Sequence, residues 1–346
     1  MTLTTAELSE KLGLSRATIS RVLNGGQGVK PSTIAAIRQE MDRLGYVRPA
    51  VRPGRKPKDQ RSAPSRHGAI ALIVADTSIL FDDPGMANFV QSVQEACSKR
   101  GLHLLLERVS DKGPLPATLQ RAKVDGALVM MFPGLIPEDD TIRRISEQFP
   151  VVQVFAPGHP LTNIEHVTVN DVSIGTHAHL LFSAAHCQSV AVINVWPSFK
   201  ESLLIRSRAC LDRSILAGRS VRVFVQDQTQ TPLWPAGTVA YQTFQEIVES
   251  LKALPKPIGV FLPIDARAKE LSEALRMAGL DDPSSTRLVI AGVTPRLVDD
   301  IQPRPTLIDP NFDAVANTAI DRLLAHGGDP GARPQTVMVQ PRVVSA

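Results

Sequence analysis

The chain has 346 residues, of which 43% are hydrophobic, and a formal net charge of +4; this length fits about two or three ordinary domains. No uncharged apolar run approaches the ~20 residues that span a bilayer, and the N-terminus is polar where a signal peptide would be apolar, so we expect a cytoplasmic protein without membrane contact. Cys97, Cys187 and Cys210 are widely spaced and form no CxxC pair, which excludes a disulfide framework or zinc site and predicts reduced core thiols.

Residues 5 to 24 predict two short helices around a tight turn, the pattern of a DNA-reading helix-turn-helix. Gly13 ends the first helix and Ser15 caps the second. The apolar residues of the second helix recur at i, i+3 and i+4, so they face the first helix. The polar residues of the second helix then point outward. A third helix begins at Pro31 or Ser32 and ends at Gly45, which completes a headpiece of residues 1–46.

The headpiece sequence LGLSRATISRVLNG, followed by VKPSTIAAIRQEMDRLGYVRP, closely resembles the DNA-binding headpiece of the lactose-repressor/galactose-repressor family. The resemblance implies that Arg16 and Ala17 carry sequence choice, with Arg16 on a guanine and Ala17 on a thymine methyl. It implies that Thr18, Ser20 and Arg21 hold phosphates or neighbouring base edges. The candidate DNA-binding residues of the headpiece are Thr5, Ser15, Arg16, Ala17, Thr18, Ser20, Arg21 and Asn24.

Positive charge is concentrated at the N-terminal end, where the first 66 residues hold thirteen Lys or Arg and five Asp or Glu. Residues 47–67 form a basic linker whose prolines exclude a stable helix. The family carries a hinge helix here, with a leucine that wedges into the minor groove, but this chain has no leucine between Leu44 and Leu72. Two interpretations stay open: a minor-groove hook through Arg52, Arg55 and Lys56, or a disordered basic tether.

From residue 68 onward short apolar strands alternate with amphipathic helices, which predicts buried parallel strands in two doubly wound lobes. The full expectation is an all-α headpiece followed by a two-lobed α/β domain over residues 68–346. This layout resembles the effector domain of the same family, which shares its fold with periplasmic sugar-binding proteins. Ligands of such sheets bind at the carboxyl ends of the strands, in the cleft between the lobes.

The strand-end rule selects candidate effector-binding residues. The resemblance places Arg206 and Asp265 at effector-contacting positions, where together they would fork onto the hydroxyls of a sugar while Trp196 stacks on its apolar face. Taken singly, each of these three residues is as well explained by an exposed helix position, a helix cap or lobe packing. The full set is Asp76, Phe155, Asp171, Trp196, Arg206, Asp265 and Thr294.

Two departures from the family bear on the effector. Thr294 stands where the family has an aspartate that contacts the ligand, and the usual Asp-Asn order appears as Asn170-Asp171. A sugar is the leading effector, and a phosphorylated or nucleobase ligand, or loss of the ligand response, stays open.

An enzyme is the main alternative, because doubly wound sheets also host hydrolases and kinases. The chain has no GxGxxG, GxxxxGK[ST], GxSxG or HExxH motif, and its eight histidines have no metal-ligand spacing, so we expect no catalysis, cofactor or metal. A periplasmic sugar-binding protein is a further alternative, and the DNA headpiece argues against it. We therefore expect a regulator, most simply a repressor, that binds a pseudopalindromic double-stranded operator as a homodimer and responds to a small effector.

Overall fold

A computed structural model of the chain gives its architecture. It describes residue 9 and residues 12–23, 29–43, 67–74, 83–109, 115–121, 123–130, 139–156, 161, 163–196, 201–226, 234, 237–302, 304–326 and 334–344. The chain divides into two compact units, Met1–Ser65 and Arg66–Ala346. Among the helices of the described residues, none has the length and apolar character that crossing a membrane requires.

The strands, in chain order, are β1 (Ala69–Val74), β2 (His103–Arg108), β3 (Gly126–Met130), β4 (Val151–Val154), β5 (Glu165–Val169), β6 (Ser189–Asn194), β7 (Ser220–Val225), β8 (Val239–Ala240), β9 (Ile258–Leu262), β10 (Thr286–Ala291), β11 (Thr306–Asp309), β12 (Thr336–Val339) and β13 (Arg342–Val344). The helices are α1 (Arg16–Leu23), α2 (Pro31–Arg43), α3 (Pro84–Ser98), α4 (Ala117–Gln120), α5 (Asp139–Ser146), α6 (Asp171–Ala184), α7 (Glu201–Leu216), α8 (Phe244–Lys252), α9 (Ala268–Met277), α10 (Pro295–Val298) and α11 (Phe312–His326).

The second helix of the predicted helix-turn-helix is α1, and Ser15 caps it as expected. The Thr18 amide donates to Ser15 Oγ at 3.2 Å, and the two hydroxyl oxygens of Ser15 and Thr18 lie 2.9 Å apart. Gly13 has φ +61°, a left-handed conformation that glycine adopts without strain. Ile19 and Val22 of α1 are buried, as is Ile37 of α2, so the predicted apolar face of α1 packs inward.

The cap predicts a local stability effect. Ser15→Ala removes the acceptor of the Thr18 amide, and loss of such a cap costs about 1 kcal/mol, which corresponds to roughly fivefold faster amide exchange along α1. Hydrogen exchange of the full chain, read by mass spectrometry, measures it. Ser15→Asn is the matched control because its side-chain carbonyl can accept the same bond, and equal exchange in both variants would contradict the capping role.

The second unit contains two sheets, which define its two lobes. The first lobe has strand order β12-β5-β4-β3-β1-β2, and every pairing in it is parallel. The second lobe has strand order β13-β11-β10-β9-β6-β7-β8, parallel except for β11 with β13. In each sheet the chain winds outward in one direction and then continues on the other side of its first strand. The predicted doubly wound α/β fold is therefore confirmed.

The chain passes between the lobes three times: after β5, after β11, and between β12 and β13. Neighbouring crossings are tied by hydrogen bonds. The Asn170 amide donates to the Val339 carbonyl at 2.8 Å, and Asn311 Nδ2 donates to the Gln340 carbonyl at 3.1 Å. In two-lobed proteins, connecting segments of this kind are where hinge bending between lobes takes place.

The three cysteines are free and buried, as the sequence predicts for core thiols. Burial raises the pKa of Cys97 to about 11 and that of Cys210 to about 12. Because the thiolate is the reactive form, these thiols are poor nucleophiles at neutral pH.

Candidate functional site

A cleft of about 340 Å³ lies between the lobes, at the carboxyl ends of their strands. From the strand ends it is lined by Phe155 after β4, Asp265 after β9, Thr294 after β10 and Asp309 at the end of β11. Residues of α3 from Gly85 to Glu95 and of α7 from Glu201 to Arg206 line its sides. The cleft therefore stands where the topology of a doubly wound domain predicts a ligand.

Arg206 is held rigidly in this cleft. Its Nε donates to Asp171 Oδ1 at 2.7 Å, and its Nη1 donates to the Pro263 carbonyl at 2.8 Å. The two charged residues are 8% and 4% exposed. Among the described residues nothing accepts from Nη2, and Arg206 lines the cleft, so the guanidinium keeps donor capacity for a ligand oxygen.

Asp171 supports Arg206 and does not itself line the cleft. It is the first residue of α6, which Asn170 caps by accepting the Ser173 amide at 3.0 Å. Burial raises the pKa of the Asp171 carboxyl, and the Arg206 guanidinium and a hydrogen bond from Ser202 oppose that rise. The sequence predicts a direct effector contact for Asp171, whereas its carboxylate is committed to orienting Arg206.

Asp265 is the second polar group of the cleft wall and is 5% exposed. Its Oδ2 accepts the Thr294 amide at 2.9 Å, and burial raises the pKa of its carboxyl. The Thr294 hydroxyl in turn accepts a hydrogen bond from Asn88 Nδ2, at 3.1 Å. Because Asn88 belongs to α3 in the first lobe, this contact joins the lobes across the cleft.

The aromatic side of the cleft consists of Phe155 and Phe312, whose ring centroids lie 5.7 Å apart. Phe89 packs behind them, 4.6 Å from Phe155 and 6.0 Å from Phe312. Trp196, the aromatic residue chosen from the sequence for stacking, lies two residues after the end of β6 and is not among the lining residues.

In the headpiece, Ala17 and Arg21 are exposed on α1, and Thr18 is half-buried with its hydroxyl beside that of Ser15. The side chains of Arg16 and Ser20 lie outside the described residues. The same holds for Thr5, Asn24, Arg52, Arg55, Lys56 and Asp76 as whole residues.

Several cleft residues were missed from the sequence because they belong to helices α3, α7 and α11 or the cap of α3, to the end of β11 or to β13, which the strand-end prediction did not include. Asp83 caps α3 by accepting the Gly85 amide at 3.0 Å, with Pro84 next to it, and an Asp-Pro pair before a helix is a recognisable signal. Extending the strand-end rule to TLID would have found Asp309 and the nearby Phe312. The missed lining residues include Asp83, Asn88, Glu201, Asp309, Phe312 and Arg342.

No family model matches the chain, but individual proteins do. The HTH-type transcriptional regulator CelR of Thermobifida fusca is 28% identical over 173 residues, which are 48% of this chain and 48% of that regulator. The chain therefore spans about half the length of this relative. The catabolite control protein A of Staphylococcus xylosus is 24% identical over 90% of this chain and 89% of its own length.

Solved structures agree in fold. A CelR–cellobiose complex covers 99% of this chain and 98% of its own, with a TM-score of 0.57 and 20% identity. The trehalose repressor from Escherichia coli covers 80% of this chain and 99% of its own, with a TM-score of 0.58 and 15% identity. These similarities establish the two-lobed fold and do not identify what the cleft of this chain binds.

Proposed function

We infer that this chain, a member of the lactose-repressor/galactose-repressor family, is a DNA-binding transcriptional regulator whose DNA affinity changes when a small hydroxylated effector binds between its lobes. The observation that carries the proposal is the joint presence of a capped recognition helix and an interlobe cleft with a buried, oriented arginine. The relative that matches 48% of the chain, CelR, is a transcriptional regulator by name, and the relative that matches 90% of the chain is a catabolite control protein; both names support binding rather than catalysis.

The headpiece supplies DNA contact through α1. A helix whose one face holds Ile19 and Val22 in the headpiece core offers its opposite face to the major groove, and exposed Ala17 and Arg21 belong to that face. Arg16 is proposed to read a guanine, and Arg21 a phosphate.

Selection from a randomised operator pool tests this assignment. Arg16→Ala is expected to reduce discrimination at one base position by about 1 to 3 kcal/mol, whereas Arg21→Ala weakens binding to most sequences alike and lowers the salt dependence. Each variant is the control for the other, since both remove one positive charge from the same helix. An unchanged selected sequence with Arg16→Ala, or no enrichment by the wild-type chain, would overturn the proposal.

We also propose a homodimer, because one headpiece reads too few base pairs for specificity and a two-fold pair doubles the contacts. A selected operator should then contain two inverted half-sites. One chain has a mass of 37.4 kDa, and light scattering at micromolar concentration is expected to give twice that value. A main species of one or four chains would count against the dimer.

A further inference from the structure

The interlobe cleft is strongly acidic. Among the described residues, six carboxylates line it, against the guanidinium groups of Arg206 and Arg342. Arg206 is paired with Asp171 at 2.7 Å, and Arg342 donates to Asp309 at 2.5 Å. Both cations are thus already balanced by carboxylates. The lining carboxylates are Asp83, Glu95, Glu201, Asp265, Asp309 and Asp313.

These carboxylates belong to both lobes, so closing the lobes brings like charges together. Asp265 of the second lobe feels the charge of Asp83, which raises the pKa of Asp265 further. Asp313, in the first turn of α11, accepts the Ser92 hydroxyl at 2.6 Å through Oδ1. A neutral polyol can share hydrogen bonds with these groups, but it leaves their mutual repulsion in place when water is expelled.

Two further features of the cleft point to the ligand. Phe155 and Phe312 form an aromatic wall within the same cavity, and aromatic rings attract cations as well as the apolar faces of sugars. Arg206 is buried and has Nη2 uncommitted among the described residues, so the ligand also presents an oxygen that accepts a hydrogen bond. An ammonium group satisfies the first feature and a hydroxyl oxygen the second.

We propose that the effector is a hydroxylated amine, for example an amino sugar, whose protonated nitrogen binds among the carboxylates while a hydroxyl oxygen accepts from Arg206. This inference rests on the proposed regulatory function and narrows its ligand class. The same cleft disfavours phosphorylated sugars, because a negatively charged phosphate is repelled by the carboxylates that line it.

Isothermal titration of the full chain with matched pairs tests the proposal: glucosamine against glucose, galactosamine against galactose, and mannosamine against mannose. We expect the amine of at least one pair to bind about tenfold or more tightly than its neutral parent, and N-acetylation or 6-phosphorylation of that amine to remove the advantage. Equal or tighter binding of the neutral or phosphorylated partner, or no binding by any amine, would overturn it.

Charge-removing variants separate a specific site from general attraction. Asp313→Asn keeps an oxygen that can accept from Ser92 and is expected to reduce the preference for the amine while binding of the neutral sugar changes little. Asp282→Asn removes an equal charge at an exposed position that does not line the cleft, so it should leave the preference unchanged. An equal loss in both variants would overturn the site.

Operator selection distinguishes the two levels of inference because it needs no effector. Specific DNA enrichment together with a preference for neutral sugars rejects the amine and keeps the regulator. Absence of enrichment rejects the regulator whatever the cleft binds.

Discussion

Asp171→Ala is expected to lower the free energy of unfolding of the two-lobed unit, Arg66–Ala346, by about 3 to 5 kcal/mol. The substitution leaves the Arg206 guanidinium buried without the carboxylate that accepts its Nε at 2.7 Å. A buried charge that loses its partner forfeits the attraction and cannot recover its hydration. Because each kcal/mol shifts the melting temperature of a domain of this size by roughly 2 to 4 °C, the melting temperature of this variant should fall by about 10 °C.

The double variant Asp171→Ala with Arg206→Met is the matched control. It removes both charges and keeps much of the volume of the arginine stem, so its loss is expected to be clearly smaller than that of Asp171→Ala alone. Thermal and urea unfolding of the wild type, Asp171→Ala, Arg206→Met and the double variant complete the double-mutant cycle. If Asp171→Ala were as stable as the double variant, Asp171 would not be the group that stabilises the buried Arg206.

Gly175→Ala is the second substitution with a large expected effect, because backbone atoms of α7 lie directly against this glycine of α6. A Cβ atom there would lie 2.0 Å from the Arg206 carbonyl oxygen and 2.9 Å from the Cys210 amide nitrogen. Backbone atoms cannot rotate away as a flexible side chain can, so the helices must separate. We expect a loss of about 3 kcal/mol, at the upper end for overpacked cores.

The same substitution should displace Arg206, since its carbonyl is the atom in closest conflict. Ligand affinity is therefore expected to fall together with the melting temperature. Thr176→Ala, at the next residue of α6, is the control: its hydroxyl bonds only to the Val172 carbonyl of its own helix among the described residues, and we expect little change. Wild-type stability for Gly175→Ala would contradict the close packing of α6 and α7.

Local signals fixed much of this protein in advance. Ser15 as a cap, Gly13 at the turn, and Ile19 with Val22 on one face follow from contacts within a few residues, which a sequence records directly. The strands were predictable for a related reason, since parallel strands covered on both faces are continuous apolar runs. The strand-end rule then brought Phe155, Asp265 and Thr294 to the cleft, because parallel strands of one sheet end at the same edge.

Roles inside the cleft depended on partners far apart in the chain. Asp171 meets Arg206 across 35 positions, and Thr294 meets Asn88 across 206, and no local pattern encodes such pairs. The capped helix, the two sheets and the position of the cleft could all be predicted from the sequence. Three features became visible only with the packed fold: Asp171 orients Arg206, phenylalanines rather than Trp196 form the aromatic wall, and carboxylates outnumber cations among the described lining residues. These facts depend on which strand ends and helix starts the fold brings to one space, and that is settled by packing between elements.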